Sequence, residues 1–204
     1  MGRQEVPIDH PFNVTDGLEK YPKILDYGRQ HGGLECIAFE KHDGTNLAWR
    51  WKGDGYDWFE LPTFRSGRTI LEGKGFFDDA PNIFDKTIMM AAKRVLKGVD
   101  EAVLFTEFRG EKSFSGEHER NDPKTLHPID LWIKGKGFMP PGEFTKTFDV
   151  VPVFRGKLTT MFVEDVRAGR LDVNEGVVCK GGDWGSVWCC KIKTDTWLAK
   201  GGEA

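Results

Sequence analysis

The residues of this sequence best suited to chemistry are lysines and carboxylates that lie next to turns. The stretch "FEKHDGTNLAW", residues 39 to 49, places Lys41 between an apolar run and an Asp43-Gly44 turn. A lysine becomes a nucleophile only when its ammonium group loses a proton, which desolvation or a neighbouring positive charge promotes. Lys41 is therefore a candidate nucleophile held at the mouth of a sheet. The same string also fits a hairpin turn with a solvated lysine, so the rest of the chain must decide.

Four further segments carry charged residues in a similar strand-and-turn setting. They are "TFRSG" with Arg65, "TEFRG" with Glu107, "NEGVVCK" with Glu175 and Lys180, and "CKIKTD" with Lys191 and Lys193. Each has an ordinary structural interpretation by itself, as a surface turn, an edge-strand carboxylate or a solvated strand face. The two-residue period of Lys191 and Lys193 predicts that both ammonium groups share one face, with Ile192 turned to the core.

Taken together and in this order, the five segments resemble the covalent nucleotidyltransferase superfamily of ATP-dependent RNA ligases, DNA ligases and mRNA capping enzymes. Its pattern of K-x-D/H-G, arginine turn, glutamate strand, E/D-G-x-x-x-K and K-x-K reads here "KHDG", "FRSG", "TEFRG", "EGVVCK" and "KIK". These elements span residues 41 to 193, nearly the whole chain. The "LEKYPKIL" and "EKHDGTN" contexts are most similar to the phage-type RNA ligases that seal nicks in duplex RNA.

This resemblance implies a reaction made of three displacements at phosphorus. Lys41 would attack the α-phosphorus of ATP and form lysyl-AMP, the AMP would move to a 5′-phosphate end, and a 3′-hydroxyl would displace it. Such steps depend on positioning and charge neutralisation. The implied cofactors are ATP and Mg²⁺ or Mn²⁺, and the implied partner is a nicked duplex RNA or an RNA/DNA hybrid. The implied catalytic residues are Lys41, Lys191, Lys193 and Glu175.

The resemblance also implies a set of nucleotide-binding residues. Glu107 is the better ribose ligand and Glu175 the better metal ligand, with Glu107 as a second metal candidate, because Mg²⁺ prefers oxygen. Lys180 is expected to reach the adenylate phosphate, and Arg65 the ribose or the incoming phosphate. Gly44 is expected to supply a positive φ and to let a phosphate approach. The full set is Glu40, Lys41, Asp43, Gly44, Arg65, Glu107, His127, Glu175, Lys180, Lys191 and Lys193.

Some positions near these motifs stay open at the level of sequence. The segment "TLHPIDLWI", residues 125 to 133, lacks the aromatic residue that stacks on adenine in related ligases. His127 either takes that place or belongs to a plain loop, and His42 is given no catalytic role. Asp43 either holds the turn or contacts the ribose. The next strand is expected to begin at "TN", and the histidines outside the motifs are expected at the surface, namely His10, His31 and His118.

The elements that must position these residues are mostly short strands separated by Gly, Pro and Asp. In one of them Leu47, Trp49 and Trp51 share a face, which predicts a half-buried antiparallel strand. The predicted strands are "ECIAFEK", "NLAWRWK", "YDWFEL", "VLFTEF", "IDLWI", "FDVVPVF", "EGVVCK" and "VWCCKIK".

Helical spacing of apolar residues appears in "PNIFDKTIMMAAKRVLKG", which predicts one helix with Pro81 in its first turn and Gly98 as its stop. A shorter helix is expected from about Thr160 to Ala168, and "IKGKGFMPPGEF" is expected to be a loop. The predicted fold class is α+β, with antiparallel sheets and few flanking helices. The resemblance makes this a nucleotidyltransferase (ATP-grasp-like ligase) adenylation domain.

Composition agrees with a single domain over residues 1 to 204 that buries a sizeable core, with 39% hydrophobic and 30% charged residues. A net charge of -3 requires any nucleic-acid contact to come from a locally positive face. The four cysteines form no CxxC pair and are predicted to be buried free thiols, which disfavours a zinc site. Free thiols favour the cytoplasm, or the host cytoplasm for a phage-encoded enzyme. We find neither a secretory signal nor a membrane-length apolar run.

The short stretch after Lys193 bears on domain organisation and on the alternatives. It has no room for a C-terminal OB-fold or helical domain, so weak nucleic-acid affinity is expected. The chain is then a minimal one-domain ligase, an isolated adenylation domain, or an adenylyltransferase that acts with partners. Within the enzyme class, a minimal ATP-dependent DNA ligase is the alternative. From another class, a non-catalytic nucleotide or nucleic-acid-binding module keeps the same fold.

Overall fold

Two β-sheets face each other in this protein, and helices cover their outer faces. The structure is a computed structural model, and it describes residues 10–18, 20–53, 58–60, 62–64, 79–111, 119 and 121–200. The first sheet has five strands in the spatial order β1 (Leu25–Asp26), β11 (Trp188–Lys193), β10 (Gly176–Gly181), β2 (Glu35–Glu40) and β9 (Phe154–Lys157).

The second sheet has six strands. Its spatial order is β4 (Trp58–Phe59), β3 (Thr45–Lys52), β6 (Glu101–Arg109), β7 (Thr125–Ile133) and β8 (Gly137–Phe138), and β5 (Thr63–Phe64) also pairs with β3. The chain passes from the first sheet into the second between β2 and β3. The pairing is antiparallel except between β1 and β11. The predicted α+β class with mostly antiparallel sheets is confirmed.

The described helices form two outer layers. Helices α1 (Ala80–Thr87), α2 (Met89–Val95) and α3 (Pro141–Phe148) pack on the outer face of the second sheet, while α4 (Thr160–Arg167) packs on that of the first. A short α5 (Asp195–Ala199) follows β11, and a 3-10 helix spans Arg29–His31. None of the helices in the described part of the chain has the length and apolar character that crossing a membrane demands.

Strand β3 shows how the alternating pattern builds the layers. Leu47, Trp49 and Trp51 point outward under the helices, and the Trp49 ring stacks on Phe84 at a centroid distance of 4.0 Å. Ala48 points the other way, into the apolar layer between the two sheets. The strand is therefore more buried than the half-buried strand predicted, because a second sheet covers the face that was expected to be solvated.

Three predicted elements differ from the structure. The single helix expected after Pro81 is two helices that meet at Ile88, whose φ of -118° departs from helical geometry. The expected loop "IKGKGFMPPGEF" contains β8 and the start of α3, because Pro141 is compatible with the first turn of a helix. The expected strand "FDVVPVF" is the end of α3 followed by a loop, and Asp149 adopts a left-handed φ of 52° there.

The surface position expected for His10 and His31 is wrong, since their exposed fractions are 5% and 0%. His10 Nε2 lies 2.9 Å from the Cys189 carbonyl oxygen, and the His31 ring stacks on Trp188 at 5.7 Å. These partners are distant in sequence and give no local signal. His118 lies outside the described residues. The predicted buried free thiols are confirmed for all four cysteines, and adjacent Cys189 and Cys190 enter different core layers.

Candidate active site

The ends of six strands meet at one end of the space between the two sheets. The Lys41 amide donates to the Gly176 carbonyl at 2.9 Å, which joins the end of β2 to the start of β10. Gly176 is also paired with Lys193 at the end of β11. In the second sheet Glu107 is paired with Asn46 on β3 and with His127 on β7. Residues from four of the five sequence segments thus come together, and Arg65 lies outside the described residues.

The centre of this site is a carboxylate held by two ammonium groups. Glu175 Oε1 lies 2.7 Å from Lys41 Nζ and 3.2 Å from Lys193 Nζ. The Glu175 side chain is only 4% exposed, whereas that of Lys41 is 25% exposed. The Lys41 amine therefore opens toward solvent while a nearly buried carboxylate fixes its position.

The two lysines of β11 lie on one face, as their spacing predicts, but they have different partners. Ile192 between them enters the apolar layer under α4. Lys193 contacts Glu175, whereas Lys191 Nζ lies 3.6 Å from Asp26 Oδ1 on the edge strand β1. Only Lys193 shares a carboxylate with Lys41 among the described contacts. The sequence did not predict a role for Asp26, because a two-residue strand is too short to be recognised, and only its parallel pairing with β11 places Asp26 beside Lys191.

Glu107 forms the opposite wall of the site and carries an unusual pKa. Burial is the main reason that the pKa of its carboxyl is raised from 4.5 to about 7. Lys41 and a hydrogen bond from Asn46 oppose this rise, while the negative charges of Glu175 and Asp43 contribute to it. Glu107 therefore lies within electrostatic reach of the Lys41 centre. Asn46 was predicted only as the beginning of a strand, which β3 confirms, and its contact with Glu107 depends on a register that sequence does not reveal.

Gly44 is required here for close packing and not for its backbone conformation. Its φ lies outside the left-handed region, so the predicted positive φ is wrong. A Cβ atom at this position would lie 2.4 Å from the Phe108 carbonyl oxygen and 3.1 Å from Cγ of both Glu107 and Arg109. The missing side chain thus lets the turn after Lys41 approach the end of β6.

Two histidines and an arginine lie on the other side of this turn. The His42 and His127 rings are in contact, with centroids 4.2 Å apart, and Arg109 Nη1 lies 3.3 Å from His42 Nδ1. Burial, then the charges of His127, Arg109 and Lys41, lower the pKa of His42 to about 3. Burial and Arg109 also lower the pKa of His127. Both rings are consequently neutral near pH 7.

A cavity of about 300 Å³ adjoins the two histidine rings. Pro128, Phe148, Val150 and Val151 give it an apolar wall, and Asp149 lies at its rim. Apolar side chains with a few polar groups are typical of small-molecule binding sites. His127, the candidate for stacking on adenine, borders this cavity.

Lys180 lies away from the Lys41 centre, in the space between the two sheets. It is 5% exposed, and its Nζ lies 2.7 Å from Asp130 Oδ2 and 2.6 Å from the Ile129 carbonyl oxygen. Asp130 also accepts a hydrogen bond from the hydroxyl of Tyr21, whose pKa is raised by burial and by Asp130. Lys180 is four positions after Gly176 on β10, which corresponds to a distance of about 13 Å along the strand. The charge of Lys180 is thus already matched within the protein.

The donor set that faces Lys41 fits a hard cation. The described residues contain no group of three or more His, Cys, Asp or Glu with the arrangement of a metal site. Glu175 and Glu107 nevertheless provide carboxylates close enough for one to raise the pKa of the other, and an added cation would relieve that repulsion. A cation held by one or two carboxylates and completed by water and phosphate oxygens is the usual form of a magnesium site.

Solved structures share this fold. A structure of the Naegleria gruberi RNA ligase with PPi is 17% identical, covers 98% of this chain and 64% of that chain, and has a TM-score of 0.63. The chain has the fold of an RNA ligase nucleotidyltransferase domain. A structure of a Naegleria gruberi RNA ligase variant with ATP and Mn is also 17% identical. The match covers 98% of this chain and 64% of that chain, with a TM-score of 0.61.

An archaeal ATP-dependent RNA ligase gives a TM-score of 0.62 at 14% identity, covering 88% of this chain and 49% of that chain. The chain thus spans about 64% of the Naegleria ligases and about 49% of the archaeal one. The sequence matches no known family profile and no curated protein. The resemblance predicted from the motifs is confirmed at the level of the fold.

Proposed function

We propose that this protein is an ATP-dependent polynucleotide ligase of RNA-ligase type, joining 5′-phosphate and 3′-hydroxyl ends through a covalent Lys41-AMP intermediate. The observation that carries the proposal is the Lys41 amine fixed at 2.7 Å on a buried carboxylate that Lys193 shares. The fold supports it, because its neighbours are RNA ligases solved with ATP and Mn or with PPi.

In the first step, the Lys41 nitrogen attacks the α-phosphorus of ATP. A phosphorus–nitrogen bond forms, the bond to the bridging oxygen of pyrophosphate breaks, and the amine nitrogen loses one proton to solvent and keeps the other. Negative charge grows on the leaving pyrophosphate and the equatorial oxygens, so fixed cations lower the barrier. Lys193 is the closest such cation on the Glu175 side, and Lys191 continues the same strand face.

Glu175 has two tasks in this scheme. In the free protein its carboxylate stabilises the charged form of Lys41 and holds the side chain in place. Mg²⁺ or Mn²⁺ bound with the nucleotide would neutralise phosphate charge. Glu175, with Glu107 as a second carboxylate, would hold such a cation, because this hard ion prefers oxygen ligands.

The nucleotide is proposed to lie between Glu107 and the cavity beside the histidines. Glu107, when ionised, accepts hydrogen bonds from ribose hydroxyls, and Asn46 holds its orientation. The adenine enters the cavity of about 300 Å³ and stacks on the neutral ring of His127. Glu40, Asp43 and Arg65 complete the proposed nucleotide-binding set.

Two further displacements complete the proposed reaction. An oxygen of a 5′-terminal phosphate attacks the phosphorus of lysyl-AMP, the phosphorus–nitrogen bond breaks, and the leaving nitrogen takes up a proton from solvent. A 3′-hydroxyl then attacks the activated 5′-phosphorus, and AMP leaves as the hydroxyl proton is lost. The proposed substrate is a nicked duplex RNA or an RNA/DNA hybrid.

The direct test is covalent labelling with ATP that carries a radioactive α-phosphate, in the presence of Mg²⁺ or Mn²⁺, followed by denaturing electrophoresis. We expect the wild-type chain to retain label and Lys41→Ala to retain none, because no other amine takes its place. Lys97→Ala, on the exposed end of the α2 region, serves as the matched lysine control. A wild-type protein without label would contradict the proposal and favour a non-catalytic binding module.

Joining assays then identify the nucleic acid. Nicked duplexes whose 3′-hydroxyl strand is RNA or DNA differ at the 2′-hydroxyl, which is the group that distinguishes the two polymers. We expect sealing with the RNA strand. Sealing that requires DNA would assign the protein to the minimal DNA ligases.

A further inference from the structure

Arg109 is a cation beside the proposed nucleotide site; it follows Glu107 in the segment "TEFRG" but has no assigned role in the nucleotide-binding set. It lies two residues after Glu107 on β6, and the side-chain stems of both residues pass over Gly44. Its guanidinium group approaches His42 Nδ1 at 3.3 Å, and its buried Nε has no hydrogen-bond partner among the described residues. Arg109 thus reaches the His42 side of the turn, whereas Glu175 and Lys193 hold the Lys41 side.

The surroundings of Arg109 suit an anion. The ion pairs formed among the described residues do not include Arg109. The Glu40 carboxylate lies 3.8 Å from His42 Nδ1, the same ring nitrogen that Arg109 approaches. Because a guanidinium only donates, His42 Nδ1 accepts from it, and the ring hydrogen lies on Nε2. The cluster therefore offers one permanent positive charge and an imidazole N–H donor.

We propose that Arg109, assisted by His42, binds the 5′-terminal phosphate of the nucleic-acid strand that receives AMP. This inference rests on the proposed ligase function and adds a substrate-binding residue to it. A terminal phosphate is a dianion with three free oxygens, which a guanidinium binds in a bidentate manner. An internal phosphodiester has one charge and fewer free oxygens, so the same cluster favours strand ends.

The location of Arg109 favours a strand end over the phosphates of ATP. Lys41, Lys193 and Glu175 already supply cations and a metal-binding carboxylate on their side of the turn. A terminal phosphate arrives without a metal ion of its own, so it needs permanent cations from the protein. Arg109 supplies one such charge beside His42, the residue that follows Lys41.

The test compares two fluorescent nicked RNA duplexes, one with a 5′-phosphate and one with a 5′-hydroxyl at the nick. Binding to the full chain without ATP is measured by anisotropy over a range of salt concentrations. We expect wild type to bind the 5′-phosphate duplex more tightly than the 5′-hydroxyl duplex. In Arg109→Ala the ratio of the two affinities should fall at least tenfold. The slope of log affinity against log salt should fall by about 0.7 to 0.9, the value of one lost phosphate contact. Arg109→Lys should keep the slope but lose part of the preference.

A second arm uses labelled Lys41-AMP protein and follows AMP transfer to the 5′-phosphate strand in a single turnover. For Arg109→Ala we expect transfer to fall at least tenfold more than self-adenylylation does. Arg167→Ala, an exposed arginine of α4, is the matched control in both arms. An unaltered 5′-phosphate preference in folded Arg109→Ala and Arg109→Lys, or a loss confined to ATP, overturns the inference. Absence of Lys41-AMP in wild type instead contradicts the ligase proposal, and the binding arm still decides the role of Arg109.

Discussion

Two carboxylates face the Lys41 amine, and their surroundings differ. Glu175 lies between two ammonium groups, whereas Glu107 is half-buried beside a neutral amide and near other carboxylates. Environments that separate two acidic groups in this way commonly assign them different tasks. Here the paired carboxylate is the proposed cation ligand, and the one with the raised pKa is the proposed ribose ligand.

Nucleotide affinity should depend on pH through Glu107. Its pKa is about 7 in the folded chain, above the ordinary 4.5, so a proton must leave before the carboxylate accepts ribose hydroxyls. For an ATP analogue with an uncleavable α–β bridge, we expect about tenfold weaker binding at pH 6 than at pH 8. Calorimetric titration measures this, and Glu107→Gln should bind with much less pH dependence. An unchanged pH dependence in that variant would exclude Glu107 as its source.

At the scale of elements, strands β7 and β10 from different sheets are joined by a buried ion pair. Lys180 and Asp130 have side-chain exposures of 6% and 2%, and Tyr21 adds a hydrogen bond from the N-terminal segment. Buried pairs are costly to break because the remaining partner is left charged in a poorly hydrated place. The pair therefore helps to set the spacing between the two sheets, and with it the width of the candidate active site at one end of that space.

Lys180→Met should lower the free energy of unfolding by about 3 to 5 kcal/mol, because Asp130 would remain buried without its partner. Urea denaturation measures the change. The double variant Lys180→Met/Asp130→Leu should recover most of it, and Lys134→Met, which removes an exposed pair with Glu101, should have little effect. If Lys180→Met is as stable as wild type but fails to adenylylate, Lys180 acts on the nucleotide, as the motif resemblance implies.

At the scale of the whole molecule, the N-terminal segment formed by residues 10 to 18 and 20 to 31 contacts both sheets. The Trp132 Nε1 donates to the Val14 carbonyl at 2.7 Å, and Phe12 is fully buried in the layer between the sheets. His10 and His31 attach the same segment to the first sheet through Cys189 and Trp188. The packing of this segment thus depends on two neutral histidines.

Protonation of His10 and His31 should destabilise the fold below about pH 6.5. Burial lowers the pKa of both His10 and His31 from 6.5, so the unfolded chain binds more protons than the folded chain as the pH falls. The contribution of these groups is fully present above pH 6.5 and is lost toward their folded pKa values. Melting temperatures at pH 7.5 and 5.5 should differ, and His31→Phe should reduce the difference. An equal pH dependence in His31→Phe would show that His31 is not one of its sources.

Much of the site was visible in the sequence because its chemistry lies in short local patterns. The alternation in "CKIKTD" was enough to predict that Lys191 and Lys193 share a face, and the order of the five segments was enough to predict the fold. Both depend on side-chain type and on a period of two, which the chain carries along its own length.

Tertiary structure alone decided which charges meet. Lys193 contacts Glu175 while Lys191 contacts Asp26, and Lys180 contacts Asp130, because strand order and register bring together residues far apart in the chain. Electrostatic interactions fall off with distance and burial, and neither quantity is encoded locally. The sequence by itself therefore determined the kinds of residue and the fold, and packing of the two sheets determined their partners.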